Sequence, residues 1–404
     1  MAAKKSLLLL LACLLAAPVA APAQETPAKF GAIITFRDDV DFTPFRRSYA
    51  ADDRAAANPA AWSYLDRGVA GAVQALERAH GFRSDHVYSA TVRGFAALVT
   101  AEQIATLAGD PRVLRVEADT EAQASAQSIP WGIDRIDADL SSSLAGDGSG
   151  AVTDVNVYVL DSGVDASHPD LNVVQHVNFA LGPNWDCNGH GTHVAGTIAA
   201  RDNDIDVVGV APGAPITAVR VLGCGGFAPW SVIIKGVDWV TANAVRPAIA
   251  NMSIVGGINE SVDEAVRRSA ASGVLYTISA GNNASDACNT SPGRSGAGID
   301  NGIVNLAATD IDDQEADFSN FGACIDLWGP GVRIPSTRNG GGTILFSGTS
   351  MAAPHAAGTA VLYLSAHPRA NPVLLEKMLR SAAVPTGTAS KDGRPIELVH
   401  AAGF

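Results

Sequence analysis

Four short apolar runs, VNVYVLD, ITAVRVL, AIANMSI and VLYTISA, recur between residues 155 and 280 with helix-like stretches between them. A run that is apolar at successive positions offers no face to water, so it belongs to a strand buried on both sides. The intervening segments HGTHVAGTIAA, WSVIIKGVDWVTANA and VDEAVRRSAAS have helical length and composition. Strands and helices in alternation pack as a parallel sheet covered by helices on both faces. The predicted class of residues 126–404 is therefore α/β, with a mostly parallel central sheet. Residues 28–119 read differently. A strand FGAIITF, a helical stretch over 70–80, a strand VYSATVRGFAALV, a helix AEQIATLAG and a last strand RVLRVE make a small α+β unit. The small, polar TEAQASAQ behind it reads as a linker open to proteolysis.

The chain of 404 residues has room for one large domain and a smaller one. Its 47% hydrophobic and 17% charged residues describe a globular protein rather than a disordered one. A formal net charge of -13 argues against a nucleic-acid partner and fits a solvated acidic surface. At the N-terminus, Lys4 and Lys5 precede an apolar run over 7–17, and Ala21 and Ala23 suit a signal peptidase. This reads as a secretory signal, residues 1–23, too short for a membrane span. A lipoprotein cleaved at LLAC, with Cys13 modified, is the other reading, and it leaves a very short apolar core. No later apolar run is long and unbroken enough to cross a bilayer, so the expectation is a free secreted protein. Export permits disulfides. Without Cys13 there remain Cys187, Cys224, Cys288 and Cys324, and spacing alone does not choose among their three connectivities.

Three segments end a strand or open a helix with a reactive side chain. YVLDSGVD puts Asp161 at the carboxyl end of an apolar strand, where open α/β sheets bind ligands. NGHGTHVAG opens a helix at His190, and FSGTSMAAPHAAG opens another at Ser350. A hydroxyl is a poor nucleophile until a base takes its proton, and the base needs a carboxylate to fix its tautomer. Asp161, His190 and Ser350 supply those roles. The order Asp, His, Ser is not that of an α/β-hydrolase. His190 and His193 also stand three apart on one helix, so a zinc pair is a second reading. It lacks an HExxH glutamate and an evident third ligand. His168, His355 and Asp165 read as structural.

DSGVDASHPDL, NGHGTHVAGTIAA, NMSI, SAGNN and FSGTSMAAPHAAG together resemble the motifs of the subtilases, the subtilisin-like serine proteases, in family order. PWGIDRID, DCNGHGTHVAG and FSNFGACIDLWGPG are most similar to the proteinase K and aqualysin branch. VRGFAALVT and DPRVLRVEAD, within residues 24–125, resemble the family's inhibitor-like propeptide. The resemblance implies a subtilisin-like fold and a secreted, monomeric serine endopeptidase made as a self-cleaving zymogen, cut within about 119–127. Its partners would be polypeptide substrates and its own propeptide, acting as chaperone and inhibitor, with no nucleic acid and no membrane. A catalytically silent, peptide-binding relative is the alternative, and an esterase with the same acyl-enzyme would be told apart by ester against peptide substrates.

Residue by residue, the resemblance makes His190 the base, leaves His193 to packing, and assigns Asn282 to the oxyanion hole. Substrate would lie as an added strand between Gly226-Phe227-Ala228 and Ser253-Ile254-Val255, with Ser279, Ala280 and Gly281 completing the pocket. Val255 departs from the family, which has glycine there, and should crowd the primary pocket. The spacing of ARDNDIDVVGV behind the His190 helix matches the family's calcium loop. Asn203 would give a side-chain oxygen and Arg201, Ile205 and Val207 their carbonyls, with Asp170 and Gln127 as remote ligands. Asp326 would belong to a weaker second calcium site. Asp134 and Asp137 read as exposed carboxylates, with a third site as the other reading. The implied disulfides are Cys187–Cys224 and Cys288–Cys324.

Overall fold

A computed structural model describes residues 27–49, 66–120, 127–298 and 300–404. The expected signal and most of the expected cleavage segment lie outside them. The chain divides into two compact units, Met1–Gln123 and Ala124–Phe404.

In the first unit β1 (Lys29–Phe36), α1 (Arg67–His80), β2 (Ser84–Tyr88), β3 (Gly94–Thr100), α2 (Ala101–Ala108) and β4 (Val113–Ala118) follow one another. The strands form an antiparallel sheet in the order β2-β3-β1-β4. Helix α1 starts at Asp66, whose carboxylate accepts from Gly68 N and Val69 N, and α2 starts with a Thr100–Gln103 capping box. Ile34, Phe36, Val73, Leu76, Phe95 and Leu107 meet in one core. The structure corrects one expectation. VYSATVRGFAALV is two strands, not one, with residues 89–93 turning between them. In the hairpin Val87 pairs with Phe95. Both side chains enter the core, and folding back is what lets each reach it.

The second unit opens with α3 (Trp131–Arg135), β5 (Val157–Asp161), β6 (Val173–Asn178), α4 (His190–Ala199) and β7 (Ile216–Arg220). Next come α5 (Trp230–Asn243), β8 (Ala248–Met252), β9 (Gly256–Gly257), α6 (Glu260–Ala271) and β10 (Val274–Ser279). β11 (Thr290–Ser291), β12 (Ile303–Thr309), β13 (Leu327–Pro330), β14 (Ile334–Thr337) and β15 (Thr343–Phe346) precede α7 (Thr349–Ala366), α8 (Pro372–Ala382), β16 (Val384–Ala389) and β17 (Pro395–Leu398). Among the described residues, nine strands form one sheet in the order β16-β17-β13-β12-β10-β8-β5-β7-β6. Its pairs are parallel except β16 with β17.

Strand β5 shows why the apolar runs have no polar side. Val157 and Val159 pack with Val194 and Ile198 of α4 and Met351 and Val361 of α7. Tyr158 and Leu160 point the other way, into a core with Ile233 and Val237 of α5 and Val262 and Val266 of α6. Strand β5 also lies between β7 and β8, where the strand order reverses. That is the switch point at which such sheets place ligands, beyond the carboxyl ends of the strands. Asp161 is the last residue of β5.

Candidate active site

Asp161 is fully buried. Its Oδ1 accepts the backbone N–H of Ser162 at 2.7 Å, and both its oxygens face His190 Nδ1, at 2.8 and 3.0 Å. A proton held on Nδ1 between them leaves Nε2 with its lone pair free. Burial on its own would lower the His190 pKa, but the charge and hydrogen bond of Asp161 outweigh it and hold the imidazole above its ordinary 6.5. The turn that presents His190 is tightly determined. Buried Asp186 accepts from Asn188 N at 3.0 Å and Gly189 N at 2.8 Å. Gly189, the N-cap of α4, has φ 98°, a left-handed conformation that costs glycine nothing.

Ser350 stands in the first turn of α7. Pro354, inside the same helix, has no N–H to give to the carbonyl four residues before it. That carbonyl belongs to Ser350, and it accepts Ser253 Oγ at 2.8 Å instead. Ser350 Oγ in turn lies 3.4 Å from Ser253 O. The expected substrate segment is thus tied directly to the residue expected to be the nucleophile. Asn282 is oriented by the same turn. Its Oδ1 accepts Thr349 N and Thr349 Oγ1, both at 2.9 Å, which leaves Nδ2 for another partner. The position that a Cβ on Gly348 would take lies 3.3 Å from Asn282 Nδ2 and 3.6 Å from Ser350 N, so the two donors converge on one region.

His190 and Ser350 line a cleft of about 420 Å³ with Gly226, Phe227, Ala228, Ser253, Ile254 and Val255. Ser279, Ala280 and Gly281 are not part of this lining, and all three are buried. Val255 reaches toward them, with its Cγ2 3.1 Å from where a Cβ on Gly281 would sit. Asn188, Leu222, Trp230 and Ile233 also line the cleft, and sequence reasoning missed them. Trp230 and Ile233 stand at i and i+3 at the start of α5, directly behind Gly226-Phe227-Ala228, and that spacing was the available signal.

The Subtilase family model matches residues 153–403. The chain belongs to the subtilase family. In addition, the Peptidase inhibitor I9 model matches residues 33–125 of this subtilase. It is 42% identical over 317 residues to the extracellular serine proteinase of Thermus sp. (strain Rt41A), covering 76% of this chain and 74% of the relative. It is 38% identical over 318 residues to subtilisin E of Bacillus subtilis (strain 168), covering 77% and 81%. To the alkaline serine exoprotease A of Vibrio alginolyticus it is 38% identical over 330 residues, 77% of this chain and 59% of that one. The crystal structure of a cold adapted subtilisin-like serine proteinase superposes with a TM-score of 0.60 at 39% identity, covering 69% of this chain and 99% of that chain. The protein is a subtilisin-like serine endopeptidase with an inhibitor-type propeptide, the arrangement of a zymogen.

The subtilase's other predicted residues fall into separate groups. Asp170 is fully buried. It accepts Asn203 Nδ2 at 2.7 Å and Val207 N at 3.4 Å, and desolvation pushes its pKa up to about 6. Gln127 Nε2 donates to Arg201 O at 2.8 Å, and Asn203 Oδ1 accepts Ile205 N at 2.8 Å. Gln127, Asp170, Arg201, Asn203, Ile205 and Val207 are therefore joined in one polar cluster. Asp326 stands apart from it. Its carboxylate accepts Asn305 N at 2.8 Å and lies 3.7 Å from Arg380 Nη1. Asp326 therefore has a guanidinium within ion-pair distance. Asp137 pairs with His400 Nε2 at 2.7 Å. His193 is fully buried, with Nε2 2.9 Å from Ile334 O and its ring stacked on Phe346; burial lowers its pKa to about 4. His193 Nε2 is thus engaged by the Ile334 carbonyl. The disulfides are Cys187–Cys224 and Cys288–Cys324. No helix among the described residues is long and apolar enough to cross a membrane.

Proposed function

We propose that this subtilase is exported by the signal at residues 1–23 and that the 24–125 propeptide chaperones and then inhibits the 126–404 peptidase domain. Cleavage within about 119–127 frees a monomeric enzyme. The observation that carries the reading is the hydrogen-bonded Asp161–His190 pair on a cleft that Ser350 also lines. Ser350 Oγ attacks the peptide carbonyl as His190 Nε2 takes its proton, and Asp161 holds the imidazolium. The oxyanion forms between Asn282 Nδ2 and Ser350 N. His190 returns the proton to the leaving amine, and water, activated by the same base, then hydrolyses the acyl-enzyme. Val255 narrows the pocket for the side chain next to the scissile carbonyl. Val255→Gly should raise kcat/KM for an aromatic residue there, relative to alanine, by about tenfold. An unaltered preference in cleaved peptides would reject this role.

The Asp170 cluster fits a calcium ion. The cluster would offer an ion one carboxylate and otherwise amide and carbonyl oxygens, so the ion must accept neutral oxygens. Calcium does so, taking carbonyl and amide oxygens with few carboxylates. Asp170, the amide oxygens of Gln127 and Asn203, and the carbonyls of Arg201, Ile205 and Val207 would hold it. Bound there, calcium supplies the positive charge that the buried Asp170 carboxylate otherwise lacks, and it ties the start of the peptidase domain to the loop behind α4.

Intact masses of the wild type and Ser350→Ala, both expressed as full-length chains, test the main reading. Loss of the propeptide by the wild type alone is expected. Identical trimming of both would assign processing to another protease, and cleavage of neither would remove the zymogen reading.

A further inference from the structure

We infer that Asn320 is a positioning residue for the oxyanion donor Asn282; the inference rests on the role proposed for Asn282. Asn320 is fully buried, and among the described residues its side chain bonds only to the segment 280–285. Its Nδ2 donates to Ala280 O at 2.9 Å. Its Oδ1 accepts Asn283 N at 3.0 Å, Ser285 N at 3.1 Å and Ser285 Oγ at 3.2 Å. Its own backbone N–H donates to Gly281 O at 2.9 Å. Burying a primary amide is costly unless its hydrogen bonds are made, and here they all go to residues on either side of Asn282.

Space enforces the same clamp. A Cβ on Gly281, at φ 109°, would come within 2.5 Å of Asn320 Nδ2, so the amide occupies ground that any other residue at 281 would need. Asn282 is then fixed from two directions. Thr349 holds its side-chain oxygen, and Asn320 holds the backbone before and after it. Oxyanion stabilisation depends on donors placed before charge develops, so looseness in this loop appears in turnover rather than in substrate binding.

The test measures kcat and KM on a chromogenic peptide anilide for wild type, Asn282→Ala, Asn320→Ala and the double variant, each processed from the full chain. Asn282→Ala should lower kcat by about 100-fold or more. Asn320→Ala should lower kcat by about 10-fold to 100-fold, the scale of a roughly 1 Å misplacement, with KM within about twofold. In the double variant the Asn320 change should add less than about twofold, because it acts only through Asn282. Asn320→Ser removes the amide but leaves a hydroxyl, so it should give a smaller loss of kcat at unchanged KM, and it replaces the alanine variant if that does not fold. Equal Asn320 losses in both backgrounds, or a lower thermal midpoint with kcat intact, would overturn the inference. If Asn282→Ala itself leaves kcat unchanged, the role of Asn282 fails first, and that result is distinct.

Discussion

Asp161 and Asp170 are both carboxylates with no exposure to solvent, on the same stretch of chain, and their surroundings differ in one respect. Asp161 faces a titratable base, His190, at 2.8 Å. Asp170 is met at hydrogen-bond distance by the neutral amides of Asn203 and Val207, and burial pushes its pKa up to about 6. A buried charge is costly unless it is paired. Around Asp161 the compensation is internal, and it is the part that moves a proton during turnover. Around Asp170 the hydrogen-bond partners are neutral, and under the calcium reading proposed above the compensation comes from outside the chain. One region should therefore control rate and the other stability.

The sharpest way to break that division is Asp161→Asn. Losing the carboxylate removes the tautomer control of His190 and should lower kcat by about 10⁴-fold, while the thermal midpoint moves far less than it does on chelation. The pH profile gives a second readout. Only neutral imidazole can take the Ser350 proton, so activity is present above the His190 pKa and is lost as pH falls through it. That pKa is held above 6.5 by Asp161. The acid limb of kcat/KM should lie above 6.5 in the wild type, fall about tenfold per pH unit, and move to lower pH in Asp161→Asn. Limbs at the same pH in both would mean that Asp161 does not set the base.

Removing divalent cations tests the other half. If calcium saturates the Asp170 cluster about 1,000-fold above its Kd, chelation should cost about 4 kcal/mol and lower the thermal midpoint by about 10 °C. At low temperature kcat should be unchanged. Calorimetry with and without chelator measures the first, and peptide hydrolysis the second. A midpoint indifferent to chelator would leave Asp170 as a buried acid without a cation.

How far this division is legible in sequence depends on the range of the contacts. Strands β5, β7, β8 and β10 are legible because burial on both faces leaves continuous apolar runs. His190 and Ser350 are legible because each opens a helix, and Asp161 because it closes a strand. The hairpin of β2 and β3 is not, since the pairing of Val87 with Phe95 is settled by the core rather than by local pattern. Asn320 carries no local signal at all: its partners lie in 280–285 and are brought to it only by the packing of the loops after β10 and β12. The approach of Arg380 to Asp326 is not legible for the same reason, because the guanidinium arrives from helix α8.

Asp326 supplies the finest test of the comparison, as a buried carboxylate with an internal but chemically idle counter-charge. Arg380 Nη1 lies 3.7 Å from Asp326 and 3.7 Å from Glu376. Glu376 also accepts the N–H groups of Asp300, Asn301 and Gly302 at 2.9, 2.7 and 2.7 Å. Desolvation, with the like charge of Glu376 adding to it, raises the Asp326 pKa to about 8. Breaking a fully buried pair costs about 3–5 kcal/mol. The Arg380 side chain is 35% exposed, so solvent screening reduces this to about 1 kcal/mol. Arg380→Gln should accordingly lower the thermal midpoint by about 2–4 °C at saturating calcium above pH 8, where Asp326 is charged, and leave kcat unchanged. A midpoint that stays put would mean that backbone N–H donors alone compensate both carboxylates. The guanidinium would then be no internal substitute for a cation, and the contrast with Asp170 would rest on the amides around each acid instead.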